Sequence, residues 1–595
     1  MRLGFTSPCN QGTWTGHGFV GAWARHQPLQ VHGTGTENSR HGPNWFMQAA
    51  LEPDAGERIH VADRGDIVVA FDGYVADPPL HQRSPGSAIV NFWRQHRQVC
   101  VNGLFSAAIF DAQSSTLTLR TDAFGFAPLY YRDIGAAILF ATQADWLVSP
   151  DTVRDDISLA SVIGNDYIVG DRSLYQGIHR APLGGCITFT ADTAPATVIR
   201  HDRQATGSAD QPATADRLDH VNDCFRQAVE RCLALDHGPT TLALSSGLDS
   251  RRILGALLKK NIRPPAFTVR LLQKGDRDLD APVATAIADH AGLVHRVVEL
   301  PAPAVYARDC MLRQRLIGGE TTAHDWGITL QRSYPDHVAT VFNGFLGDTV
   351  DDSRHPWDNM FEDPQRDLEL FAAEHGRMSG RSLLAPALDR GDEVVQVVRE
   401  YLAPYADLRH AADLAEMVLQ MRRGNAISTQ LLRPRHLEVK PFVDLDYIRA
   451  VNDIEPQAKI DSGFRRDLLA RYHPDLAGFS GTADHADVVL RSRQQSRLQR
   501  TRARACVAAL ARDVPLRIQQ RVFRHALSAR GRALVHATRH FPAATHRWNW
   551  FLRPALEAVL HPPRVHPVWD LPATPKPIPP HGRRSTDHAA HHAPA

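Results

Sequence analysis

The chain has 595 residues, enough for two or more domains that each bury a core. Its 67 basic and 65 acidic side chains leave a net charge of +2, which excludes a general electrostatic attraction to nucleic acid. Seven scattered cysteines form no Cys-x-x-Cys pair, the 31 histidines are too dispersed to indicate a metal centre, and no apolar run approaches the ~18–20 residues of a membrane span. With no signal-peptide pattern at the N-terminus, a cytoplasmic protein with reduced thiols and no integral membrane segment is expected.

In the first third, short apolar or alternating runs recur at residues 67–71, 105–110, 116–120, 129–132 and 137–141. Turn residues such as Asp72-Gly73 and Phe124-Gly125 stand between them, and a helical stretch at 87–95 interrupts them. That rhythm predicts an antiparallel, β-rich domain. The run from Gly103 through Asp111, Leu117 to Asp122 and Phe124 to Tyr131 resembles the glutaminase half of asparagine synthetases, and Phe71-Asp72-Gly73-Tyr74 resembles a degraded form of that family's Asn-Gly-Glu strand end. The resemblance implies a fold of the N-terminal-nucleophile type. Such enzymes attack glutamine with an N-terminal cysteine whose own amine is the base. Position 2 is Arg2, and Cys9 is not terminal. The domain is therefore read as a glutaminase fold without glutaminase chemistry. Residues 177–185, containing Pro182-Leu183-Gly184-Gly185, resemble a family hairpin. The small polar run 205–215 is the best domain boundary.

Residues 216–235 read as an amphipathic helix. Residues 240–244 then read as a buried strand, Leu244-Ser245-Ser246-Gly247-Leu248-Asp249-Ser250 as a polar turn, and 252–260 as a helix. A strand feeding a turn that opens a helix presents unpaired N–H groups and a partial positive charge to phosphate. Three serine hydroxyls add donors, and Asp249 beside a phosphate suits a bridging Mg²⁺. No Gly-Lys-Ser/Thr is present, so this is not the Walker arrangement. The loop resembles the SGGLDS pyrophosphate loop of the asparagine-synthetase family of ATP pyrophosphatases, with Ser246 in place of a glycine.

A strand at 265–271, a helix from Asp280 through Ala284, Ala288 and Gly292, and a strand at 296–300 follow. Alternating strands and helices predict a parallel α/β sheet, with ligands at the strand C-terminal ends. The spacing from Asp280 to His295 is similar to the family's, and backbone groups around Thr268 are placed to read adenine. Val341 to Asp348 resembles the family segment S-G-E-G-S-D. It implies that Gly344 and Gly347 adjoin the nucleotide and that Asp348 joins Asp249 in holding Mg²⁺. Phe345 stands where the family has glutamate, and phenylalanine cannot take a proton. Glu320 is a candidate polar substrate contact. Residues 438–444 resemble R-x-P-F-L-D, with Lys440 at the arginine position. Gly463 to Leu469 resembles K-x-x-L-R, whose lysine stabilises charge on phosphorus; Arg466 matches best, Arg465 is its neighbour, and either can supply positive charge.

Residues 491–564 carry 16 arginines, no lysine, and only Asp513 and Glu557 as acids. Their apolar spacing predicts helices. A basic helical face suits an acidic peptide, a partner protein or an anionic surface, and a solvated face is the ordinary alternative. The Pro- and His-rich end reads as a disordered tail.

The expected architecture is an α+β, β-rich glutaminase-like sandwich at 1–205, an α/β parallel-sheet ATP-pyrophosphatase domain at 206–535, and a C-terminal extension at 536–595, with added C-terminal helices. The resemblance implies ATP and Mg²⁺ as cofactors and carboxylate adenylation as the chemistry. The whole-chain pattern most resembles lasso-peptide cyclases, which join a peptide's N-terminal amine to an Asp or Glu side chain. A free α-amine, with a pKa of about 7.7–8.0, needs no strong base. The implied partners are a precursor peptide, as substrate, and a leader-peptide-binding protein with a protease. Asparagine synthesis from free ammonia, β-lactam-type ring closure and a non-catalytic scaffold are the alternatives.

Overall fold

The computed structural model describes residues 1–480 apart from internal stretches at 7–17, 35–38, 51–58, 62–64, 192–196, 201–205, 271–279, 336–339, 354–360, 377–389 and 427–435, parts of 302–325 and three single positions, together with Trp569 and Asp570. The arginine-rich region, the C-terminal extension except for those two residues, and Cys9 lie outside the described residues.

Two larger antiparallel sheets build most of the first half, beside a small one in which Arg2–Thr6 pairs in parallel with Gln30–Thr34 and antiparallel with Trp569–Asp570. One of the two runs Thr197–Arg200, Gly185–Phe189, Thr116–Thr121, Gly103–Asp111, Ile67–Val75 and Ile59–Val61, with Leu80–His81 added beside Ile67–Val75. The other runs His179–Arg180, Tyr130–Asp133, Ala137–Ala141, Gly18–Ala24, Trp45–Ala50 and Ser39–His41. Phe19, Trp23 and Met47 of one sheet meet Val68, Ala70, Phe110 and Leu119 of the other in a shared apolar layer. Ile67, Val69 and Phe71 point the opposite way, against Ile89, Val90 and Trp93 of the helix Gly86–Gln95. The strand Ile67–Val75 is thus buried on both faces, which is why it reads as a continuous apolar run instead of an alternation.

Two expected turns are corrected here. Asp72-Gly73 lies inside the strand Ile67–Val75: Gly73 has φ +110°, and a Cβ there would stand 2.2 Å from the Leu104 carbonyl oxygen. The glycine lets two strands approach; it does not end one. The segment around Pro182 is no hairpin, because His179–Arg180 pairs with Tyr130–Asp133 while Gly185–Phe189 pairs in the other sheet. It carries the chain from one sheet to the other.

The second half holds a five-stranded, wholly parallel sheet. Its spatial order is His295–Val298, Ala266–Val269, Thr240–Ala243, Thr340–Phe342 and Leu437–Val439. The chain builds outward in one direction from Thr240–Ala243, then returns to build from its other edge. In open parallel sheets the ligand crevice lies where the direction reverses, here between the C-terminal ends of Thr240–Ala243 and Thr340–Phe342. The helix Ala281–His290 buries Ala284, Ile287 and Ala288 beside this sheet, the small residues allowing close contact.

Within the described residues, no helix is long and apolar enough to cross a membrane. The domains share one continuous core in which Tyr74, Leu104 and Phe126 join Phe225, Phe345 and Phe442. Three histidines, His410, His436 and His473, are buried in the second half. Burial lowers His410 and His473 to about 3 from 6.5. Both must stay neutral to remain buried, so stability is present above pH ~6.5 and is lost as the pH falls towards ~3. The urea midpoint is expected to fall between pH 7 and pH 5, with a shallower fall in His473→Asn; identical profiles would contradict this assignment.

Candidate active site

The crevice is lined by the residues that follow the two strands beside it. The helix Leu248–Lys259 begins four residues earlier than its apolar pattern suggests, placing Asp249 in its first turn. Leu248 and Ser250 share that turn, whose amides have no carbonyl partner within the helix and face outward. The preceding loop is braced from within. Ser245 N donates to Ser250 Oγ at 3.1 Å, Gly247 N to Ser245 Oγ at 3.1 Å, and Ser246 N to Asp280 Oδ1 at 2.7 Å. Ser246, at the pattern's glycine position, is fully buried. Thr268 is buried, and its hydroxyl donates to the Leu244 carbonyl at 2.7 Å and meets His295 Nε2 at 2.8 Å. Its side chain therefore locks adjacent strands together.

From the other strand, Asn343 Oδ1 accepts the Phe345 N–H at 2.8 Å, Leu346 turns through φ +80°, and the short helix Gly347–Val350 brings in Asp348. Gly344 and Gly347 press against Asp249. A Cβ on Gly347 would lie 2.6 Å from Asp249 Cγ, and one on Gly344 would lie 3.1 Å from Asp249 Cβ. Gly347→Ala is expected to displace the Asp249 carboxylate and weaken ATP binding at least tenfold, a methyl in a filled space forcing backbone shifts of about 1–3 kcal/mol. Calorimetric titration with ATP would check it, and unaltered affinity would contradict the close approach.

Arg465, on the helix Gly463–Tyr472, completes the set. Its Nη2 donates to Asp249 Oδ1 at 2.7 Å, and Nη1 lies 3.5 Å from Asp352 Oδ2. Burial raises Asp249 to about 6; Arg465 opposes that shift, while the charges of Asp348 and Asp351 add to it. Arg466, one residue on, is exposed and turns away. One residue is about 100° of helix rotation, and it separates the arginine at the crevice from the one outside it.

The remaining sequence candidates fall elsewhere. Lys440 is buried, its ammonium 4.9 Å from the centre of the Phe345 ring, and Phe345 packs edge-on against Phe126 at 5.4 Å. Glu320 is neither at the surface nor in the crevice. It is fully buried at the junction of the halves, where Arg180 Nη1 donates at 2.8 Å, Arg423 Nη2 at 3.0 Å, and the Tyr130 hydroxyl also donates. Arg423 and Arg422 project from the π-helical segment Glu416–Asn425, and Arg422 donates to Asp171 at 2.6 Å and to the Ala181 carbonyl at 2.7 Å. These junction arginines, and the pair Asp351-Asp352 beyond Asp348, carried no motif signal.

The Asp249 and Asp348 carboxylates fit a hard divalent cation: each is half-buried and each feels the other's charge. Among the described residues no three His, Cys, Asp or Glu side chains are grouped to hold a metal alone. Phosphate and water oxygens would complete the shell, as Mg²⁺ prefers.

Comparison with known proteins places two family matches on this chain. A glutamine amidotransferase domain matches residues 88–198, and an asparagine synthase domain matches residues 220–323. Over these two stretches the chain is similar to a glutamine amidotransferase domain followed by an asparagine synthase domain. The asparagine synthase match contains the Asp249 loop, while Asp348 and Arg465 lie beyond it. A putative glutamine-hydrolyzing asparagine synthetase of Mycobacterium tuberculosis is 24% identical over 206 residues, covering 33% of this chain and 31% of its own. A glutamine-hydrolyzing asparagine synthetase of Bacillus subtilis is 25% identical over 169 residues, covering 27% and 26%. The similarity thus spans about a third or less of these relatives' length. A solved allosteric regulatory enzyme of purine biosynthesis is similar over 48% of this chain and 76% of its own, at 8% identity and a TM-score of 0.19, too low to bear on the fold.

Proposed function

We propose that the chain adenylates a carboxylate with ATP and passes the acyl group to an amine, forming an amide with release of AMP and pyrophosphate. The observation that carries this reading is the convergence of Asp249, Asp348 and Arg465 at the reversal point of the parallel sheet, beside the helix opening at Leu248. The first-turn amides of that helix would hold the pyrophosphate, with the Ser245 and Ser250 hydroxyls bracing the loop. Mg²⁺, held by Asp249 and Asp348, would neutralise phosphate charge. Arg465 adds a fixed positive charge where charge builds on phosphorus, so catalysis is positioning and electrostatic stabilisation.

The amine acceptor we favour is the N-terminus of a peptide, joined to an Asp or Glu side chain of the same peptide in a macrolactam. Phe345 supports this reading. Phe345 itself cannot accept a proton where the family's glutamate would, and its described ring contacts are Phe126 and Lys440, which favours an acceptor with a larger neutral fraction. An α-amine, with a pKa of about 7.7–8.0, keeps a larger neutral fraction near neutral pH than ammonium does. A leader-peptide-binding protein and a protease would supply the substrate. The test offers the purified chain, with ATP and Mg²⁺, either a leader-free candidate peptide or aspartate with ammonium. A peptide product lighter by one water supports macrolactam formation; asparagine from the second mixture alone would return the chain to asparagine synthesis.

A further inference from the structure

Arg465 is bound asymmetrically. One terminal nitrogen makes a close hydrogen bond to Asp249, the other a loose 3.5 Å contact to Asp352, and Nε, though buried, has no partner among the described residues. Asp352 does not depend on Arg465 for its position. Its Oδ1 accepts the Ser462 backbone N–H at 3.0 Å, and its Oδ2 accepts the Ser462 hydroxyl. Ser462 precedes the helix that carries Arg465, so Asp352 is tied to the base of that helix. Its neighbour Asp351 is held separately by Arg252 and Tyr447, with Arg252 on the helix of Asp249. A carboxylate oxygen accepts more than one hydrogen bond, so Asp352 retains capacity for a second donor. Asp351 and Asp352 thereby join the segment bearing Asp348 to both helices of the site.

We infer that Asp352 is a positioning residue that offers Arg465 a second seat, so that the guanidinium leaves Asp249 when Mg²⁺–ATP arrives. This inference rests on the adenylation reading and assigns a division of labour within it. One carboxylate cannot serve Arg465 at 2.7 Å and a divalent cation equally, because the two positive charges repel at that range. Asp352 is already aimed at the opposite nitrogen. A small rotation about the side chain moves Arg465 from one acceptor to the other, and its unpartnered Nε–H would then be free to meet a phosphate. The same arginine thereby neutralises buried Asp249 without nucleotide and contacts phosphate with it.

The test measures binding of α,β-methylene-ATP, which cannot lose pyrophosphate, to the full chain as Mg²⁺ is titrated. Asp352→Asn keeps an oxygen for Ser462 but offers Arg465 no charge. It is expected to raise the Mg²⁺ concentration for half-saturation about tenfold, the scale seen when a residue supporting a metal ligand is lost. Asp352→Glu is expected to recover most of that loss. Ser462→Ala, which loosens Asp352 without altering any charge, is expected to shift the titration in the same direction by about threefold, and it keeps the inference testable should Asp352→Asn not fold. Tight binding by wild type with an unchanged Mg²⁺ dependence in the variants would overturn the inference alone. No binding by wild type at any Mg²⁺ concentration would overturn the adenylation reading and this inference with it.

Discussion

Asp249→Asn is expected to lower ATP-dependent pyrophosphate release by roughly 10²–10³-fold, the usual effect of deleting one charge-stabilising group from a preorganised site. The substitution preserves shape, and the asparagine oxygen can still accept from Arg465, so the fold should survive. What is lost is the charge that pairs with Asp348. Burial and the neighbouring carboxylates already press Asp249 towards its neutral form, and Arg465 is the described partner that opposes them. A site built at that electrostatic cost has a use for the charge. ATP–pyrophosphate exchange with purified protein is the appropriate measurement, with circular dichroism as the check on folding. Exchange within threefold of wild type would remove Asp249 from the chemistry.

The second large effect is on stability. Glu320→Ala is expected to destabilise the chain by about 3–5 kcal/mol, the range for breaking a buried ion pair from one side. Arg180, Glu320 and Arg423 are all fully buried, and burial with the nearby Arg180 charge already lowers Arg423 to about 10 despite Glu320. Removing the carboxylate leaves two buried guanidinium groups facing each other. The double variant Glu320→Ala, Arg423→Met should be more stable than Glu320→Ala alone, because it removes one of the stranded charges. Urea denaturation of the three proteins decides the matter. A loss under 1 kcal/mol for Glu320→Ala would mean that the junction does not hold the two halves together.

How much of this was legible in the sequence depended on how local each signal was. The strand, loop and helix around Asp249 and the segment ending at Asp348 were legible because their chemistry is contiguous. Their meeting was legible too, since alternating strands and helices imply a parallel sheet whose loops converge. The start of the helix was read late because Leu248, Asp249 and Ser250 look like turn residues, yet polar groups suit a first helical turn whose amides need acceptors. Asp72-Gly73 misled for the opposite reason: a pair that commonly turns a chain lies here within a strand, Gly73 admitting the backbone of Leu104. Arg465 and Arg466 were indistinguishable by motif, and only the helix's orientation separates them. Glu320 was read as a substrate contact, and Arg180, Arg422 and Arg423 were not legible at all. The bonds that join them across the two halves span more than 100 residues, and a lone acid after two glycines gives no sign that it will be enclosed by arginines from two domains.

The most direct test of the account follows ATP itself. The full chain, incubated with Mg²⁺ and a peptide substrate that it converts, should release AMP and pyrophosphate in equal amounts, one of each per amide formed, and Arg465→Met should suppress both where Arg466→Met does not. Release of ADP and phosphate instead would mean attack at the terminal phosphate, and would contradict adenylation at the crevice of Asp249, Asp348 and Arg465.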